Sequence, residues 1–304
     1  NIADLDNDGV PEIVLGASVF SADGKLLWEG NVGRGSTGHG VYSVVADLDG
    51  DGKQEVIAGR TAYSSTGQVL WTYGSADGYP IVIDVENDGT PEIVLRTDVA
   101  KIVVLDRLGK AKYGPFTIPN PPQDACPASI SAADFDGDGR PELAVPAGNA
   151  MHMMKPATGQ IVWSKPIDDY SGQCGASGTA AFDFEGDKIA EVVYHDSTAL
   201  YAFRGSDGTI VYQEPRTSAT IFETPVIADI DNDGHADILT TQDRGAGLKM
   251  LNNVTNDWVA TRRIWNQYGY HVTNVSEGGA IPRIETPSWT KLNAYRANEP
   301  RCSP

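Results

Sequence analysis

The sequence predicts an all-β protein, a β-propeller of four-stranded blades, and three observations carry that expectation. An acidic motif, first met as "DLDNDGVPEIV" from Asp4, recurs six times along the 304 residues. Successive first aspartates are 43, 37, 50, 49 and 46 residues apart, the period of a four-stranded blade and too long for a leucine-rich or hexapeptide solenoid. Every copy is flanked by short apolar, β-branched runs punctuated by Gly-containing hairpin signals.

Composition agrees with many short strands and many turns: 40% hydrophobic residues, 33 Gly and 18 Pro. Chain length permits either two average domains or one large all-β unit. A net charge of -18 argues against nucleic acid as a partner, which would require a basic stripe, and invites cations instead. No stretch is long and apolar enough for membrane insertion. The chain starts at Asn1 with neither an initiator Met nor a leader-like segment, which suggests a processed or trimmed chain.

Each blade is legible in order. Runs such as "VYSVVAD", "YPIVIDV", "SISAADF", "SGTAAFDF" and "TPVIADI" precede the acidic loops and are expected to be the inner strands. "NIADLD" matches "VIADID", so the first inner strand is clipped. The loop follows, then an apolar strand, then a hairpin and outer strand, as in "VFSADGKLLWE", "AYSSTGQVLWT", "MMKPATGQIVWS" and "YAFRGSDGTIVYQ". Trp28, Trp71, Trp163 and Tyr212 recur at one register of the outer strand, where a flat ring fills the wedge between blades. Radial repetition protects the sheet edges. Residues 1–260 are assigned to the repeats, and 261–304 to a C-terminal segment that completes or closes the propeller. Seven blades are expected, with six the alternative.

Within each loop, carboxylates occupy positions 1, 3, 5 and 9. The copies are Asp4, Asp6, Asp8 and Glu12; Asp47, Asp49, Asp51 and Glu55; Asp84, Glu86, Asp88 and Glu92; Asp134, Asp136, Asp138 and Glu142; Asp183, Glu185, Asp187 and Glu191; Asp229, Asp231, Asp233 and Asp237. Like charges so close repel, whereas a hard cation such as Ca2+ takes six to eight oxygens from alternate residues of a tight loop. Gly at position 6 permits the turn in five copies, and position 7 (Val10, Lys53, Thr90, Arg140, His235) offers a backbone carbonyl. An EF-hand is excluded, because the residues after position 9 read as strand. Solvated acidic hairpin turns are the plain alternative, disfavoured by six registered copies that all retain a carboxylate at position 9. The loops hold 24 of the 41 acidic residues, and six bound ions would move the net charge from -18 to about -6. Four to six structural Ca2+ ions are therefore expected. The copy at Asp183 is the weakest, since Lys188 stands at the Gly position and its ammonium is a candidate replacement for the ion.

These loops resemble the FG-GAP and VCBS repeats of integrin α-subunit propellers and of many bacterial secreted proteins, where D-x-D-x-D-G-x-x-[DE] precedes a strand ending in Gly-Ala-Pro. Here the follow-on reads "IVLGAS", "VIAGR" and "LAVPAG", and the Phe-Gly half of the pattern is replaced by "VYS" and "IFETP". The resemblance spans residues 1 to about 250. It implies a calcium-stabilised propeller, secreted or at the cell surface, whose loops are structural, and it does not specify a ligand. The tail is similar to segments that follow such repeats in large bacterial surface proteins.

No catalytic constellation is legible. His39, His152, His195, His235 and His271 are scattered, no nucleophile elbow or phosphate loop is present, and a metal-bound carboxylate shuttles protons poorly. His235 is expected to be an exposed bystander, contributing only its backbone. The polar and aromatic cluster Arg262, Arg263, Trp265, Asn266, Gln267, Tyr268 and His271 is a candidate glycan or peptide site, with Trp265, Asn266, Tyr268 and His271 its candidate contacts; a packed closure segment is the competing reading. Cys126 lies eight residues before Asp134 and Cys174 nine before Asp183, a shared register that predicts a Cys126–Cys174 disulfide and an oxidising compartment, leaving Cys302 over. Asn253 and Asn274 match the N-glycosylation pattern. A binding or adhesion module for a glycan or extracellular protein is the favoured function. A polysaccharide lyase on a propeller scaffold and a structural, self-assembling subunit of an extracellular assembly are the alternatives.

Overall fold

In the computed structural model, the described residues are 1–36, 40–98, 101–119, 128–147, 149–168, 177–218, 223–242, 247–255 and 257–301. They form six antiparallel sheets, one per acidic loop. The first holds β1 (Ile2–Ala3), β2 (Glu12–Leu15), β3 (Ser18–Phe20) and β4 (Leu26–Glu29). The second holds β5 (Ser43–Ala46), β6 (Glu55–Ala58), β7 (Thr61–Tyr63) and β8 (Val69–Thr72). The third holds β9 (Tyr79–Ile83), β10 (Glu92–Asp98), β11 (Lys101–Leu105) and β12 (Ala111–Thr117). The fourth holds β13 (Ser131–Ala133), β14 (Glu142–Ala147), β15 (Ala150–Met154) and β16 (Ile161–Pro166). The fifth holds β17 (Ala180–Phe182), β18 (Glu191–His195), β19 (Ala199–Arg204) and β20 (Ile210–Pro215). The sixth is three-stranded among the described residues: β21 (Val226–Ala228), β22 (Asp237–Thr241) and β23 (Leu248–Leu251).

Each sheet is a simple meander, so the strand before the loop sits at one edge and the outer strand at the other. First strands of adjacent sheets meet, as β5 does β9, β13 does β17 and β17 does β21. Their side chains are buried on both faces in β5, β9, β13 and β17, whereas β4, β8, β12 and β20 are largely exposed. This gradient from a buried hub to a solvated rim is the propeller-like arrangement the sequence predicts.

Ring packing between sheets follows one rule. The ring of Trp28 lies where a Cβ on Gly67 of the second sheet would stand 2.7 Å from it, and its Nε1 donates to Ser65 O at 3.0 Å. Trp71 meets Gly109 and donates to Arg107 O at 3.0 Å; Trp163 meets Gly208 and donates to Gly205 O at 2.6 Å. Glycine at these three hairpins, with φ of +83°, +76° and +69°, both turns the chain and admits the neighbour's indole. Tyr212 packs edge-on to Trp258, at 6.0 Å between ring centres. In the third sheet the ring against Gly159 is Phe116, which the sequence reading passed over.

Residues 258–301 build no further sheet among the described residues; they hold one short helix, α1 (Ser288–Lys291), and run across the first strands. Ile2 N donates to Gln267 Oε1 at 2.6 Å, Tyr42 OH meets Tyr295 OH, and Asp84 N donates to Asn293 Oδ1 at 2.9 Å. Tyr295 N donates to Ala132 O at 2.8 Å, Ala181 N to Arg296 O at 2.9 Å, and Asn298 Nδ2 to Ile227 O at 3.0 Å. Every sheet is thus tied to the tail at its inner edge. No helix among the described residues is long and apolar enough to cross a membrane.

Candidate metal centres

The six loops share one hydrogen-bonding scheme that follows from their spacing. At position 9 the carboxylate accepts the backbone N–H of position 2: Leu5, Leu48, Val85, Phe135, Phe184 and Ile230 donate at 2.9, 2.8, 2.9, 3.0, 3.1 and 2.7 Å. This anchors one oxygen and leaves the other for the loop interior. At position 5, Asp8, Asp51, Asp88, Asp138, Asp187 and Asp233 each accept the N–H two residues on, at 2.7 to 2.9 Å, a side-chain-closed turn. Position 1 caps the turn from below; Asp4, for example, accepts from Asp8 N at 3.1 Å and Gly9 N at 2.8 Å.

Two residues per loop adopt left-handed backbone. Position 6 was legible as glycine; position 4 is also left-handed in every copy and is always Asn or Gly: Asn7, Gly50, Asn87, Gly137, Gly186 and Asn232, with φ from 59° to 79°. The signal stood in the sequence, since these residue types tolerate that region. Lys188 takes φ +74° at position 6, a strained choice for a side chain with a Cβ.

Carboxylate oxygens converge in five loops. Asp4, Asp6 and Asp8; Asp47, Asp49 and Glu55; Asp134, Asp136 and Glu142; Asp183, Glu185 and Glu191; and Asp229, Asp231 and Asp237 each bring their oxygens within 4.8 Å of one another, so these clusters could hold a metal ion. In the sixth loop, Asp229 Oδ1 and Asp237 Oδ1 are buried without a hydrogen-bond partner, on side chains 6% and 1% exposed. Orphaned anionic oxygens in such a place are costly without a cation. Burial, then the neighbouring aspartates, push the Glu55 carboxyl up to about 7. Burial raises Glu142 likewise, to about 7, and burial together with the adjoining Glu185 raises Glu191. The donor set is all oxygen, which suits a hard divalent cation.

Two loops contain a protein cation, and in the fourth it stands among oxygens of the same converging cluster. In the third, Lys112 Nζ donates to Glu92 Oε1 at 2.6 Å and to Glu86 Oε2, while Tyr113 OH donates to Glu86 Oε1. In the fourth, Lys155 Nζ donates to Asp136 Oδ2 at 2.7 Å and Asp138 Oδ2 at 2.9 Å and stands 3.5 Å from Glu142 Oε1. Lys188, where the sequence suggested a replacement, binds Asp183 Oδ2 only through its backbone N–H at 2.8 Å, and the described residues give its ammonium no ion pair. The His235 ring is no bystander: its Nδ1 meets Trp258 O at 2.7 Å.

Much of the polar and aromatic cluster of the tail contacts the protein itself. Trp265 stacks on Tyr270 at 4.4 Å between ring centres, and the Arg296 guanidinium lies 4.6 Å from the Tyr268 ring centre. Arg262 is buried and donates to Val272 O and Val275 O, both at 2.5 Å. His271 Nε2 pairs with Glu285 Oε1 at 2.5 Å, and Arg263 Nη1 donates to Asn232 Oδ1 at 3.0 Å. Asn266 is exposed and Tyr268 is 40% exposed. Asn274 is 3% exposed and donates to Gly269 O at 3.1 Å, so its side chain is closed to a glycan. Cys126, Cys174, Cys302 and His39 lie outside the described residues. A cavity of about 280 Å³ that sequence reasoning missed opens between the fourth and fifth loops and the tail, lined by Arg140, Lys188, Asn293 and Asn298 among others. Nothing local in the sequence brings these four together.

The family model for the FG-GAP-like repeat matches residues 84–145 and 161–240. No curated protein matches the sequence. Among solved structures the chain is similar to the V. cholerae biofilm matrix protein Bap1, with a TM-score of 0.79 at 18% identity, covering 100% of this chain and 77% of that one. It is also similar to a Bacillus licheniformis rhamnogalacturonan lyase, with a TM-score of 0.54 at 17% identity over 98% of this chain and 50% of that one. The exotype rhamnogalacturonan lyase YesX gives a TM-score of 0.54 at 18% identity over 83% of this chain and 46% of that one. The chain spans about half the length of these lyases. At such identities the likeness is one of fold.

Proposed function

Since this chain is an FG-GAP-repeat protein of propeller-like fold, we propose that it is a calcium-stabilised, extracellular binding and adhesion module for a glycan or protein ligand, secreted or held at a cell surface. The observation that carries this reading is the set of oxygen-lined loops, with orphaned buried carboxylate oxygens at Asp229 and Asp237, on a fold like that of a biofilm matrix protein. Millimolar Ca2+ is available outside cells, and it is the cation these oxygens suit. When bound, it neutralises the loop and crosslinks its two ends. Positions 1, 3, 5 and 9 supply side-chain oxygens, and position 7 a carbonyl. This chain's own residues do the rest: the position-2 amide orients the position-9 carboxylate, and the position-5 side chain closes the turn on the amide two residues on.

The tail supports a single closed unit rather than two domains. Arg262 O accepts from Asp229 N of the sixth blade at 3.0 Å, and Gln267 accepts from Ile2 N of the first at 2.6 Å. Residues 261–304 in this reading close the propeller by bonding to the first strands, and a Cys126–Cys174 disulfide would join neighbouring blades.

The test is a glycan array and a pull-down from extracellular matrix, run with and without chelator. Retention of a glycan or protein that needs calcium, with no turnover, is expected. Release of unsaturated oligosaccharides would replace this reading with the lyase, and ordered polymers of the purified chain would replace it with a structural subunit.

A further inference from the structure

Six loops carry the four-carboxylate pattern, yet two of them hold a lysine ammonium among their oxygens. We propose that the third and fourth blades are locked by Lys112 and Lys155 in place of calcium, so that the chain binds four ions rather than six. This deepens the calcium reading above and rests on it.

In both loops a lysine ammonium sits on oxygens that an ion would need. Lys112 Nζ bonds Glu92, whose side chain is 1% exposed, and Glu86 of the third loop. Lys155 Nζ reaches Asp136, Asp138 and the 2% exposed Glu142 of the fourth. A divalent ion needs those same oxygens at about 2.3–2.6 Å, which puts it on top of the ammonium. The ammonium donates directly to buried Glu92 in the third loop and stands in ion-pair contact with buried Glu142 in the fourth, compensating charges that would otherwise be uncompensated. Tyr113 OH takes the remaining Glu86 oxygen, a second hydrogen-bond donor where a cation would need an acceptor.

Blade register shows that both lysines are peculiar to their blades. Lys112 stands at the bulge between the residues paired with Leu105 and Val104. The same bulge position holds Leu27, Leu70, Val162 and Val211 in four other blades. None of those can reach a loop with a charge. Lys155 follows the residue paired with Leu143, where the first, second and third blades have Ser21, Ser64 and Asp106. The fifth blade has Arg204 there, turned to Asp207 at 3.6 Å. Each of the two loops has therefore gained a lysine from a different strand position, one on β12 and one just past the end of β15. The remaining four loops have no lysine within ion-pair distance among the described residues.

Native mass spectrometry of the whole chain, stripped with chelator and reloaded with excess Ca2+, counts the ions directly. The expected wild-type count is at most four, and Lys112→Leu and Lys155→Ser should each gain one. Both substitutions restore the residue type of other blades; should either variant fail to fold, the wild-type count alone decides. Five or six ions in the wild type, or a folded lysine variant that gains none, overturns the proposal while leaving the calcium reading intact. Zero ions in wild type and variants alike overturns the calcium reading itself.

Discussion

At the scale of single residues, the position-9 carboxylate has two tasks that substitution can separate. Asp237 accepts Ile230 N through Oδ2 and leaves Oδ1 buried and unpaired. Asp237→Asn keeps an acceptor for that amide and removes the charge. With calcium present it should lose one ion and about 1–3 kcal/mol of stability; in chelator it should match or exceed the wild type, because a repulsive anion has gone. Thermal melts of both proteins under both conditions check this. His195 tests burial away from the loops. Desolvation, then Arg216, holds its pKa at about 4, against 6.5 when unfolded. The unfolded chain therefore binds the extra proton between those values, so stability present above pH 6.5 is lost as pH falls to 4. That loss is about 3 kcal/mol. Urea melts of the wild type against His195→Gln across this window should differ by that slope; the comparison cancels the loop carboxylates, whose raised pKa values act in the opposite direction. The acidic positions were readable because charge spacing is local. The lysines that enter two of those loops were not, since Lys112 lies 20 residues from Glu92 and meets it only once the sheet forms.

At the scale of elements, the aromatic register was readable and its partner was not. Trp28, Trp71 and Trp163 announce a wedge by repeating in the outer strand, but the hairpin glycine each one covers belongs to the next blade. The third blade broke the pattern: Tyr113 holds the Trp register and Phe116, further along β12, covers Gly159. Trp71→Ala should therefore uncouple two blades, at a cost of about 3 kcal/mol for a large, partly buried ring. Calorimetry should show a lower melting temperature with the calcium count unchanged. The inner strands were legible from their β-branched and small residues. The Asn or Gly at position 4 of each loop was equally visible, but its meaning rests on a backbone angle.

At the scale of the whole molecule, the six repeats were evident and their closure was not. The sequence reading expected seven blades, whereas the described residues form six sheets whose inner edges all bond to residues 262–298. A tail that threads across six first strands has no periodicity to betray it, because each contact answers a different sheet. Truncation before Ser288 removes the bonds to Asp84, Ala132, Ala181 and Ile227, and the shortened chain should lose its cooperative transition in calorimetry. Divalent ions are proposed to hold these six hairpin sheets together. Ligand that binds only the folded state raises its stability with concentration. Scanning calorimetry of the chelator-stripped chain, titrated with Ca2+, is the most direct test: the account predicts a melting temperature that climbs until the loops saturate. A transition that stays at one temperature from excess chelator to millimolar calcium would contradict it.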